Sequence, residues 1–197
     1  MNVFKFGGAS VKDVAGVKNL ISVLTTVGHE NTLVVISAMG KTTNALEQII
    51  EDYFKNKEQT PAGILPLKQY HIDIVKGLFK EQSAEVEEVI HKLFEELLSF
   101  FKFNKSPNYS FVYDQVVSYG ELLSTTIIHY YLKYEGFNSS WLDARNCIKT
   151  DDYYRAANLN WELTQKSIST EVGTKPLVIT QGFIGSNSNN FTTTLGR

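Results

Sequence analysis

Asn2-Val3-Phe4-Lys5-Phe6-Gly7-Gly8 opens the chain with a short β-prone run that ends on two glycines. Thr32-Leu33-Val34-Val35-Ile36 repeats the arrangement and runs into the small-residue turn Ser37-Ala38-Met39-Gly40. After the first run, Val14, Val17, Ile21 and Leu24 recur at helical spacing until Gly28 stops the pattern; after the second, Leu46, Ile49, Ile50, Tyr53 and Phe54 do the same. The nearly continuous apolar, β-branched stretch 32–36 suits a parallel strand covered on both faces. Two strands that each lead into a helix predict an α/β fold with a mainly parallel central sheet and right-handed crossovers. Ligands of such sheets sit at the carboxyl ends of the strands. Here that edge carries Gly7, Gly8, Ser37 and Gly40.

The middle of the chain changes character. Between breakers near Pro61 and Pro107 the patterns are helical, with Val86, Ile90, Leu93, Leu97 and Phe100 the clearest stripe. Charged residues between them mark a packing face, so residues about 56–108 are expected to form a helical insertion with a structural role. A further helix is predicted over about Ser110 to Tyr134, interrupted or bent near Gly120, with Glu121 beside that glycine. A strand through Trp141-Leu142-Asp143, a helix from about Asn160 and a strand from Pro176 to Thr180 resume the alternation. The run 185–190 reads as a hairpin loop and Phe191 to Thr194 as its return strand.

Nineteen basic against twenty-one acidic residues leave a net charge of −2, which lacks the positive field that nucleic acid binding needs. One cysteine, Cys147, allows no intrachain disulfide, and no Cys/His cluster has zinc-ligand spacing, so no structural metal is expected. The first residues have neither a basic n-region nor a long apolar run, so the reading is a cytoplasmic protein with no membrane partner. With 197 residues and 43% hydrophobic content the chain fits one domain.

Gly40-Lys41-Thr42 imitates the end of a Walker A loop, but Val35 stands where that loop needs a glycine. A Rossmann fingerprint fails as well, because Gly7-Gly8 lacks a third glycine at the required spacing. Lys5-Phe6-Gly7-Gly8-Ala9-Ser10 places a cation at a strand end, two residues without Cβ atoms and then a helix N-terminus, an arrangement that anions favour. The same six residues also fit an ordinary βα turn with an exposed lysine. Ser37 to Asn44 forms a second such turn, or simply an N-cap. Glu121, among the apolar and small residues of Ser118-Tyr119-Gly120-Glu121-Leu122-Leu123-Ser124, is either a solvated helix glutamate or a carboxylate in need of a cation such as a substrate ammonium.

Lys5-Phe6-Gly7-Gly8-Ala9-Ser10-Val11 resembles the opening signature of aspartokinases, in the amino-acid kinase superfamily. Val35 to Asn44, Val117 to Ser124, and Ile179-Thr180-Gln181-Gly182-Phe183-Ile184-Gly185 with Thr192-Thr193-Thr194-Leu195-Gly196-Arg197 agree with the same family, in the same order. Ala9 departs from it by replacing a threonine, and the family pattern continues past Arg197 with Gly-Gly-Ser-Asp. The resemblance implies a three-layer sandwich of which residues 1–197 are the N-terminal, aspartate-binding lobe. The nucleotide-binding lobe and regulatory domains would lie in further sequence, and this portion alone would be inactive.

The implied reaction moves the γ-phosphoryl of ATP, with Mg2+, onto the β-carboxylate of L-aspartate, the first step toward lysine, threonine and methionine. By resemblance Lys5 meets the transferring phosphoryl group or the β-carboxylate, Gly7 and Gly8 allow close backbone approach, and Ser37 lies near the same phosphates. Arg197 would pair with the α-carboxylate, Glu121 and Thr43 would receive the α-ammonium, and Phe183 and Thr194 would line the pocket. Asp143 and Arg145 fit a structural pair or a substrate contact. The full-length enzyme is expected to be a homo-oligomer. Rival readings are a kinase of glutamate or N-acetylglutamate, and a non-catalytic aspartate-binding or assembly module.

Overall fold

A computed structural model describes residues 1–56 and 62–196. Four strands form one parallel sheet: β1 (Asn2–Phe6), β2 (Thr32–Ile36), β3 (Ser139–Leu142) and β4 (Leu177–Gln181), in the order β1-β2-β4-β3. The register pairs Phe6 with Ile36 and Ile36 with Gln181, so three strands end level with one another. A separate antiparallel hairpin, β5 (Ile184–Ser186) and β6 (Thr192–Thr194), follows at the carboxyl end of β4.

Alternation along the strands divides the sheet into two faces. Val34, Ile36, Leu177 and Ile179, all fully buried, join Phe4 and Phe6 on the face covered by α1 (Val14–Val27), α2 (Thr42–Lys55) and α5 (Tyr109–Tyr134). Leu33, Leu142 and Val178 lie on the opposite face, against Ile168 and Val172 of α7 (Trp161–Val172) and Cys147 of the short α6 (Ala144–Cys147). The result is the expected α/β architecture with a mainly parallel central sheet between helical layers.

Helices α3 (Ile64–Phe79) and α4 (Ala84–Phe103) occupy the helical middle. Val86, Ile90 and Leu97 of α4 share the core of the first face as the spacing predicts, whereas Leu93 and Phe100 are only partly buried and their neighbours Phe94 and Phe101 fill the core instead. Two local expectations are corrected. No α-helix begins at Gly7-Gly8: a single 3-10 turn spans Gly8–Val11, and α1 starts only at Val14, where the Asp13 carboxylate accepts from the Gly16 N–H at 2.8 Å. Nor is α5 interrupted at Gly120, for its 26 residues are one unbroken helix. A Cβ on Gly120 would lie 2.8 Å from Cβ of Ala38, so this glycine serves a close tertiary approach and not a break.

Candidate functional site

The first two turns are built against each other. Ser37 N–H continues the sheet by donating to the Phe6 carbonyl at 3.1 Å, and Gly40 N–H donates to the Gly8 carbonyl at 2.9 Å. A Cβ at Gly8 would meet the Ala38 carbonyl oxygen at 2.4 Å, so the absence of a side chain there is what lets the turns touch. Gly40 has φ +55°, a conformation in which glycine carries no steric cost. The third strand end joins them, since Gly182 N–H donates to the Ile36 carbonyl at 2.9 Å. Around Gly7, by contrast, an added Cβ would meet nothing within 4 Å, which leaves its backbone approachable from outside.

Lys5 is exposed on the penultimate residue of β1 and is paired in register with Val35. Ser37 is half-buried at the end of β2, and Thr43 is half-buried in the first turn of α2. Glu121 is 1% exposed on α5, and its Oε1 accepts from the Ala38 N–H at 3.2 Å. A buried carboxylate is thereby held at the carboxyl end of β2, next to the opening of α2. Lys5, Gly7, Gly8, Ser37, Thr43 and Glu121 therefore belong to one corner of the fold.

Phe183 follows Gly182 into the same corner with φ +69°, an uncommon conformation for a bulky residue. Its carbonyl accepts from Leu195 N–H at 2.9 Å, which ties the start of the hairpin to its end. Thr194 is fully buried on β6, where its hydroxyl donates to Asp114 Oδ1 at 2.7 Å and its N–H to Asp114 Oδ2 at 2.9 Å. Arg197 lies outside the described residues. Asp143 and Arg145 form a bidentate pair at 2.6 to 3.1 Å while Asp143 caps α6.

Three residues that support this corner were not singled out by sequence. Asp114 is fully buried, and burial pushes its carboxyl above the usual carboxylate range against the opposing pull of hydrogen bonds from Thr194 and Arg155. It stands two helical turns before Glu121 on α5, and that spacing of two acids on one helical face was the available signal. Gln181 ends β4 by donating to the Thr125 hydroxyl at 2.7 Å and accepting from the Ala144 N–H at 2.7 Å. His71 is fully buried on α3, with Nδ1 2.8 Å from the Leu67 carbonyl and Nε2 3.5 Å from Thr42 Oγ1. Burial lowers its pKa to about 4, so the ring is neutral, donating to Leu67 and accepting from Thr42.

Among the described residues no group of three His, Cys, Asp or Glu side chains could hold a metal ion, and no helix is long and apolar enough to cross a membrane. Glycine-rich turns and a helix N-terminus gather at the carboxyl ends of the parallel strands, the edge where α/β domains of this architecture hold their ligands. The chain belongs to the amino acid kinase family, whose model matches residues 1–197. It is 29% identical over 199 residues to the bifunctional aspartokinase/homoserine dehydrogenase 2 of Escherichia coli K12, covering 98% of this chain and 24% of that protein. To the chloroplastic aspartokinase 1 of Arabidopsis thaliana it is 32% identical, over 99% of this chain and 35% of the relative. The E. coli aspartokinase III structure in complex with lysine and aspartate superposes with a TM-score of 0.86 at 27% identity, over 100% of this chain and 44% of that one. The same enzyme in complex with aspartate and ADP gives 0.84. The chain thus spans less than half the length of these relatives.

Proposed function

We propose that this chain is the aspartate-binding lobe of an aspartate kinase, the whole protein transferring the γ-phosphoryl of ATP to the β-carboxylate of L-aspartate. The observation that carries the reading is the Glu121 carboxylate, buried and fixed at the carboxyl end of β2 between the glycine turns. It is bonded to Ala38 N–H, and Ala38 directly follows Ser37 in the turn that opens α2; similarity to aspartokinases supports L-aspartate over other amino acids.

The chemistry suits the residues present. A carboxylate with a pKa near 4 is ionised at neutral pH, so the nucleophile needs no general base. The barrier is the approach of one anion to another, and positive charge and alignment lower it. Lys5, exposed at the end of β1, supplies a cation for the phosphoryl group or the β-carboxylate. The Gly7 backbone offers an approach that a side chain would obstruct, and the N-terminus of α2 adds its unpaired N–H groups. Glu121 and Thr43 receive the α-ammonium, Arg197 pairs with the α-carboxylate, and Phe183 walls the pocket. Mg2+ would bridge and neutralise the nucleotide phosphates, a role that needs few protein ligands. The nucleotide lobe and regulatory domains belong, on this reading, to the part of the protein beyond the matched region, in a homo-oligomeric enzyme.

Isothermal titration of the chain with L-aspartate tests the assignment, with L-glutamate as the comparison ligand. Saturable aspartate binding that is lost in Glu121→Gln and in Arg197→Ala is expected. Equal affinity for both amino acids, or unchanged aspartate binding in Glu121→Gln, would refute it.

A further inference from the structure

A second cleft lies behind the Gly40 turn, between α2 and α3, and the proposed reaction makes no use of it. Its volume is about 580 Å³, within the range of roughly 300–1,000 Å³ usual for small-molecule sites. Ala45 and Ile49 of α2 and Pro66 and Leu67 of α3 give it apolar walls. Lys12 and Lys41, both exposed, line the end nearest the turn. Among the described residues neither lysine takes part in an ion pair. Asp52, at the α2 side of the cleft, has its charge answered by Lys55 at 3.1 Å and its Oδ1 hydrogen-bonded by Gln48 at 3.1 Å. The two lysines thus outweigh Asp52 among the charged groups that line the cleft and sit at one end of an apolar trough, with Asp13, outside the lining, close enough to add to the rise that burial gives the pKa of the Tyr70 hydroxyl.

We propose that this cleft is a binding site for a small amphipathic anion: a free acid whose carboxylate meets Lys12 and Lys41 while its hydrocarbon body lies along Ala45, Ile49 and Leu67. A dicarboxylate or a sugar phosphate would leave the apolar wall in contact with polar groups, and a cation would meet the two lysines.

The cleft shares its wall with the candidate site. Tyr70 donates its hydroxyl hydrogen bond to the Lys12 carbonyl, and a Cβ on Gly40 would lie 3.0 Å from that hydroxyl and 3.4 Å from Cβ of Lys12. Thr42, which also lines the cleft, faces the buried His71 and directly precedes Thr43. An occupant touches Lys41 and Thr42 from behind and changes the surroundings of their amides and of the adjoining Gly40.

Sodium octanoate titrated into the 15N-labelled chain is the test, with octylammonium as the charge-reversed control. Expected are saturable amide shifts at Gly40, Lys41, Thr42, Ala45 and Leu67 that share one dissociation constant, with none from octylammonium. Lys12→Glu combined with Lys41→Glu, both at exposed positions, should weaken octanoate at least tenfold with the rest of the spectrum unchanged. Ala45→Trp should block the trough. The absence of saturation, equal binding of octylammonium, shifts centred elsewhere or an affinity untouched by the two charge reversals would each overturn the proposal. None of these readouts depends on aspartate binding.

Discussion

Replacing Asp114 by alanine should cost the protein about 2–4 kcal/mol, and the figure can be worked from the side chain's partners. Its two oxygens accept four contacts: Arg155 N–H at 3.1 Å to each oxygen, Thr194 N–H at 2.9 Å and Thr194 Oγ1 at 2.7 Å. Alanine leaves three donors with no acceptor, and a buried unsatisfied polar group costs about 1–3 kcal/mol. Two effects trim the total. Burial already pushes the Asp114 carboxyl above its ordinary range, so its ionised form carries a desolvation cost that the substitution removes. Water can also reach the exposed Arg155 N–H once the clamp opens. Urea unfolding at neutral pH reads the loss, and hydrogen exchange at the Thr194 and Arg155 amides reads its location. Asp114→Asn, equal in shape, keeps one acceptor oxygen and should lose less. A loss below about 1 kcal/mol with unchanged exchange at Thr194 would refute the view that this carboxylate holds β6 and the 151–158 loop to α5.

Gly120→Ala should destabilise by about 1–3 kcal/mol, although alanine is worth about 1 kcal/mol more than glycine in an open helix, because its Cβ would press on Ala38 at 2.8 Å and Thr42 at 3.4 Å. A gain in the urea midpoint would contradict this. Gly8→Ala should be worse, its Cβ falling 2.4 Å from the Ala38 carbonyl oxygen, and should also abolish aspartate binding in titration. The buried His71 sets a pH dependence. Its folded pKa, about 4, lies below the ordinary 6.5, so the neutral ring stabilises the fold above pH 6.5, and that contribution is lost as pH falls from 6.5 toward 4. The difference is linked to about 3 kcal/mol. His71→Gln should flatten that part of the stability profile; an unaltered slope between pH 6.5 and 4 would mean that the ring is not held neutral.

The strands and the first two βα units were legible because their signals are local. A β-branched run ending in small residues, then apolar residues every three or four positions, can be read without knowing the partner. Gly120 misled for the same reason: glycine weakens a helix locally, whereas its use here is set by Ala38 on another element. The start of α1 carried a readable cap in Asp13, four residues beyond Ala9, that the glycine pair before it obscured. The partners of the supporting residues were not legible, although the spacing of Asp114 and Glu121 on one helix was. Asp114 meets Thr194 across 80 residues and His71 meets Thr42 across 29, and no periodicity marks such pairs. A charged residue on a predicted helix reads as solvated until tertiary partners bury it, which is why Glu121 stayed open between two readings.

The unbroken course of α5 explains how one corner can be both tight and well spaced. At Gly120 the helix comes close enough to the β2–α2 turn for the next residue, Glu121, to reach the Ala38 N–H; a side chain at 120 would push the carboxylate out of reach. Two turns earlier, about 10 Å along the axis, the same helix grips the hairpin through Asp114, and Gln115 exchanges two hydrogen bonds with Thr192 at 2.7 and 3.2 Å. The turn and the hairpin do not pair with each other in the sheet; they are joined once through β4, whose following Gly182 N–H meets the Ile36 carbonyl, and spanned a second time by a helix that neither belongs to. The glycine that suggests a break in the sequence is thus part of what seats the helix against the turn, with Glu121 at one end of the span and β6 at the other.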